Sequence, residues 1–89
     1  MINGMLIDSQ DNVGIAIYSI AKESLISYCF ENKNSISLTA MENIPIYHKF
    51  AVRFIPKNDL IIKYGQPIGR AAVDILPGQH VHIHNVNHV

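Results

Sequence analysis

The sequence predicts an all-β domain, a compact small barrel or sandwich of short strands. Three observations carry that prediction. Ile and Val number 21 against 5 Leu, a β-branched composition that suits pleated surfaces better than helices. Turn signals recur along the chain, at Asp11-Asn12, Glu31 to Asn34, Glu42-Asn43 before Pro45, Pro56 to Asp59, Gly65-Gln66-Pro67 and Pro77-Gly78. No window keeps a helical apolar period for three turns, and the nearest, Ile15 to Leu25, is broken by β-branched residues and has no cap.

Runs of strand length lie between these turns. Val13 to Ile20 puts Val13, Ile15 and Ile17 on one face. Leu25–Phe30 and Ile36–Ala40 read as a hairpin joined across Asn32-Lys33-Asn34, with Ser37 and Thr39 facing out. Phe50–Phe54 points Phe50, Val52 and Phe54 to the core and Arg53 away from it. Ile44-Pro45, Ile55-Pro56 and Leu76-Pro77 each set an apolar residue before a proline, a faint echo that the preference of proline for turns explains.

A chain of 89 residues makes one domain over 1–89. Lys plus Arg and Asp plus Glu are both 7, and this neutral balance gives no footprint for nucleic acid. Charged residues are 16 % of the chain, against about 25 % in ordinary soluble domains. Sparse charge on so small a domain predicts that another chain covers part of the surface, in a homo-oligomer or a hetero-complex. The single Cys29 allows no internal disulfide and reads as a packed thiol rather than a nucleophile. Met1–Asp8 lacks the features of a signal peptide, and no apolar run approaches the roughly 20 residues of a membrane span. A cytoplasmic protein with no membrane contact is expected.

Chemistry concentrates in two places. His80-Val81-His82-Ile83-His84-Asn85 on a strand would point all three imidazoles to one side. Alternate residues stand about 6.6–7 Å apart on a strand, so two neighbouring rings can share an ion but three cannot. A metal site would therefore use one His-x-His pair, with His48 as the ligand from elsewhere. His88 is expected to be a bystander. The second place is Lys63-Tyr64-Gly65-Gln66-Pro67-Ile68-Gly69-Arg70, a glycine-rich turn bracketed by Lys63 and Arg70, two cations able to clamp an anion. No phosphate loop, dinucleotide fingerprint or Ser-His-Asp arrangement is readable.

Taken in order, Asp11-Asn12-Val13, Ile44-Pro45-x-x-His48-Lys49-x-Ala51, Lys63-Tyr64-Gly65-x-x-Ile68-Gly69-x-Ala71 and Asp74-Ile75-x-x-Gly78-x-x-Val81-His82-x-His84-Asn85 resemble the small N-terminal SAF-type domain of the altronate and galactarate dehydratase family. They also resemble the small subunit of sulfolactate sulfo-lyase, a relative. The resemblance implies the β-clip fold and the elimination of water from a hydroxy-carboxylate to a 2-keto-3-deoxy acid, with a divalent metal of the iron type. It also implies a large catalytic subunit as partner and a small acidic sugar as substrate; the chain would be a free small subunit or an excised domain. Carried over residue by residue, it makes His48, Lys49, Lys63 and Tyr64 catalytic candidates and His82 and His84, with His48, metal candidates; Lys63, Arg70 and Asn85 are candidates for binding the acid. Three positions depart from the family pattern: Asp8 where relatives often carry histidine, Tyr47 where glycine is usual, and Asn58 at the equivalent turn. The alternative from another class is a carbohydrate- or anion-binding β-clip module without catalysis.

Overall fold

The computed structural model describes residues 1–30 and 35–88. The strands are β1 (Gly4–Met5), β2 (Val13–Ala16), β3 (Leu25–Cys29), β4 (Ile36–Thr39), β5 (Lys49–Ala51), β6 (Leu60–Lys63), β7 (Gln66–Ala71), β8 (His80–Val81) and β9 (Val86–Asn87). They form a six-stranded sheet in the order β4-β3-β1-β2-β5-β8 and a three-stranded sheet in the order β6-β7-β9. Among the described residues no helix forms, and so none is long and apolar enough to cross a membrane. The all-β expectation holds. The Leu25–Phe30 and Ile36–Ala40 runs pair as expected, antiparallel with Leu25 opposite Thr39; the loop expected at Asn32-Lys33-Asn34 lies outside the described residues.

Two expected strands are cut short. The run from Val13 stops at Ala16, and the run from Phe50 stops at Ala51, leaving Phe54 exposed rather than buried. The reason is a turn unit that follows each of these alanines, and which recurs four times. Ala16, Ala40, Ala51 and Ala71 are each followed four positions later by Ile20, Ile44, Ile55 and Ile75, and three positions after that by Glu23, Tyr47, Asn58 and Gly78. The last residue of every unit has positive φ, at 74°, 67°, 76° and 89° respectively. In each unit that residue's N–H donates to the carbonyl of a buried alanine in the paired unit: Glu23 to Ala40, Tyr47 to Ala16, Asn58 to Ala71 and Gly78 to Ala51. The isoleucines pair correspondingly, Ile20 with Ile44 and Ile55 with Ile75. The domain is thus two interlocked pairs of turns, and the proline echo in the sequence marks three of the four units.

The six-stranded sheet separates two cores. Residues directly opposed across strands share a face, and Val13, Ala51 and Val81 contribute to one core with Ile55, Ile61, Ala71 and Ile75. Phe50 belongs to the other, with Ala16, Ile20, Ile26, Tyr28, Ala40 and Ile44. Its ring fits only because its neighbours lack side chains: a Cβ on Gly14 would sit 2.6 Å from Phe50 Cζ, and one on Gly4 would sit 2.7 Å from it. In the β5–β8 pair Phe50 faces His80 and Lys49 faces Val81. The histidine-bearing edge of the sheet is therefore fixed by the packing of both cores.

Candidate histidine and lysine site

The extended strand expected over His80–His84 is not formed. β8 ends at Val81, and the chain turns over 82–85 because Asn85 holds it there. The Asn85 Oδ1 accepts the His82 N–H at 2.9 Å, and its Nδ2 donates to the His80 carbonyl at 2.8 Å. Asn85 is buried, and its amide is spent on the turn rather than presented to a ligand.

The turn gathers the rings instead of scattering them. His48 directly follows the second turn unit; its carbonyl accepts the Ala16 N–H, and its Nδ1 lies 2.8 Å from His80 Nε2. The His48 and His82 rings stack at 4.2 Å between centroids, and His80 and His82 lie 5.5 Å apart with nearly parallel planes. One nitrogen from each of His48, His80 and His82 lies within 4.8 Å of the others. The structure thus joins His48 and His82, as the sequence suggests, and adds His80; His84 groups instead with His80 and Glu42. Glu42 escaped sequence reasoning because its proximity to His80 comes from the Met41 N–H to Gly78 carbonyl bond, which no local pattern reveals.

Burial and neighbouring groups disfavour the charged form of two of these rings. Burial, followed by the neighbouring His48, His84, His82 and Lys49, lowers the His80 pKa to about 4. The His82 pKa is lowered too, first by desolvation and then by His48, Lys49 and His84. Neutral imidazoles offer lone pairs, the form in which histidine binds a metal. Three ring nitrogens converging from two separate elements suit a borderline divalent ion.

A cavity of about 300 Å³ adjoins the cluster, lined by Lys49, Lys63, Ile68, His82, Ile83, Val86 and His88. His88 borders this cavity but belongs to neither histidine group. Ligand pockets run from roughly 300 to 1,000 Å³, so this one suits a small molecule. Burial, and secondarily the Lys63 ammonium, lowers the Lys49 pKa. Lys63 ends β6 beside a two-residue hairpin turn in which Tyr64 and Gly65 both have positive φ, 56° and 73°. The Lys63 Nζ sits 4.9 Å from the centroid of the Tyr64 ring, a cation–π contact that fixes the ammonium at the turn.

The remaining candidates lie elsewhere. Arg70 donates to the Asn58 carbonyl at 2.9 Å from an exposed position. Asp8 belongs to neither histidine group; its carboxylate lies against the hairpin turn, 3.0 Å from where a Cβ on Gly65 would be. Beside it the buried Asp11 carboxylate accepts the Asp8 and Gly65 N–H groups, tying that turn to the chain before β2.

Comparison with known proteins bears on this arrangement. The family profile described as the altronate/galactarate dehydratase SAF domain matches residues 2–89. The chain is 42 % identical over 80 residues to an altronate dehydratase of Bacillus subtilis, covering 89 % of this chain and 15 % of that protein. It is 38 % identical over 79 residues to an altronate dehydratase of Escherichia coli, covering 89 % of this chain and again 15 % of that protein. It is 33 % identical over 81 residues to the (2R)-sulfolactate sulfo-lyase subunit alpha of Chromohalobacter salexigens, covering 89 % of this chain and 86 % of that subunit.

Proposed function

The chain belongs to the altronate/galactarate dehydratase SAF-domain family, and we propose that it supplies the histidine cluster and the two-lysine cavity to the active site of an acid-eliminating lyase completed by a large catalytic chain. The observation that carries this reading is the convergence of His48, His80 and His82 next to a cavity that Lys49 and Lys63 line. The substrate proposed is a small hydroxylated sugar acid, and the product a 2-keto-3-deoxy acid. Ile83 and Tyr47, 79 % and 73 % exposed beside His82 and His48, favour a partner over that face.

The elimination moves one proton and one leaving group. A base takes the proton on the carbon next to the carboxylate, the adjacent hydroxyl departs as water with a proton from an acid, and the enol tautomerises to the ketone. Lys49 suits the base, because its lowered pKa leaves more free amine at neutral pH. Lys63, held over Tyr64, suits the carboxylate and the charge that grows on it as the proton leaves. His48, His80 and His82 would hold the divalent metal, of the iron type, which when bound supplies Lewis-acid polarisation of the substrate oxygens.

The test is to purify the chain with the large lyase chain of its source and assay the complex. Dehydration of altronate or galactarate by the complex, absent from either chain alone, is expected. Sulfite release from sulfolactate instead would place it with the sulfo-lyase relatives. Saturable binding of sugar acids with no turnover by any complex would leave the non-catalytic binding module.

A further inference from the structure

We propose that Glu42, His80 and His84 form a second divalent-cation site, which shares His80 with the His48–His82 pair and competes with it for that ring. One carboxylate oxygen and two ring nitrogens of this group lie within 4.8 Å of one another, the same spacing found in the all-histidine trio. The backbone fixes all three positions. The Met41 N–H to Gly78 carbonyl bond, at 2.9 Å, clamps the segment carrying Glu42 against the turn that leads into His80. Asn85 locks the 82–85 turn that carries His84, by its bonds to the backbone of His80 and His82. The His80 and His84 rings accordingly lie 5.3 Å apart between centroids.

The two donor sets differ in chemistry. The trio is all imidazole and its members are half-buried; the second set brings a carboxylate, and His84 is exposed. A carboxylate with two imidazoles accepts harder divalent ions, such as Mn²⁺ or Fe²⁺, more readily than imidazoles alone. A neutral imidazole has one lone pair, so His80 completes only one of the sets at a time. A single ion therefore has two alternative seats, and a second ion finds only two of the three ligands. Competition for His80 rests on the trio holding metal as proposed above, whereas cobalt binding by Glu42, His80 and His84 does not.

Cobalt(II) titration of the untagged chain tests it, with stoichiometry from equilibrium dialysis and coordination from the visible spectrum. His82→Ala removes the trio while leaving Glu42, His80 and His84, and none of these side chains belongs to either core. The His82→Ala protein is expected to bind one cobalt, with a spectrum altered from that of the unsubstituted chain. Adding either Glu42→Gln or His84→Asn to it is expected to weaken that binding at least tenfold, with circular dichroism unchanged. A smaller loss from both additions, or no cobalt binding by the His82→Ala protein, overturns the proposal.

Discussion

His48 Nδ1 and His80 Nε2 stand 2.8 Å apart although 32 positions separate them in the chain. With the His80 ring held neutral, one ring nitrogen of the pair donates and the other accepts.

That neutrality predicts a pH dependence of stability in metal-free protein. An unfolded histidine titrates near 6.5, whereas His80 titrates at about 4 when folded. Between these values the unfolded chain binds the extra proton, so the contribution is whole above about pH 6.5. It is lost as pH falls toward 4. Partial exposure screens it to on the order of 1 kcal/mol. Thermal melts in chelator should show this drop, and His80→Gln should flatten it.

Divalent metal should raise the melting temperature through the histidine trio. Ligand at 100 times its Kd adds about 2.7 kcal/mol. Calorimetry with Zn²⁺ should show the increase in the natural chain and a markedly smaller one in His48→Ala, and chelator should reverse it.

The four turn units predict an ordered series of backbone effects. Tyr47 and Glu23 occupy left-handed positions that cost an ordinary residue about 1–2 kcal/mol. Tyr47→Gly and Glu23→Gly should each stabilise by about 0.5–1 kcal/mol in urea unfolding, and Asn58→Gly by less. Gly78→Ala should cost more than any of these gains, because its Cβ would collide with the Thr39 carbonyl oxygen.

Gly14→Ala should destabilise by about 1–3 kcal/mol through overpacking against Phe50. A Gly14→Ala, Phe50→Leu double variant should lose less than the sum of the two single changes. Urea unfolding of all four proteins closes this double-mutant cycle.

The cavity lysines predict distinguishable effects. Lys63→Gln should raise the Lys49 pKa only slightly, since burial outranks Lys63 among its causes; NMR titration of the Lys49 side chain reads this directly. In the assembled lyase, Lys49→Met should lower kcat by at least tenfold, and Lys63→Gln should act mainly on KM.

Much of the architecture was legible in β-branched composition and turn residues, since both follow from local backbone preference. The fourfold unit was harder to read. Only Ala-x-x-x-Ile and a left-handed position three residues on are shared, and Glu23 and Tyr47 are poor markers of such a position. The first unit has Ala21 where two others have proline, and in the last Pro77 is displaced by one residue. The tail misled for a related reason: alternating histidines look like a strand, but Asn85 reaches back to the His82 N–H and closes a turn. The gathering of His48 with His82 was foreseeable from chemistry, whereas Glu42 beside His80 depends on a tertiary backbone bond that no window of sequence contains.

The interlocked turns also dictate what the imidazoles report. The first pair of units runs from Ala16 to Tyr47, and the second from Ala51 to Gly78, so His48, just after the first pair, and the His80–His84 segment, just after the second, are carried by different halves. A chain cut at this seam would leave each fragment with an incomplete ligand set, and bound cobalt colour would then serve as a gauge of how faithfully the two fragments reassemble.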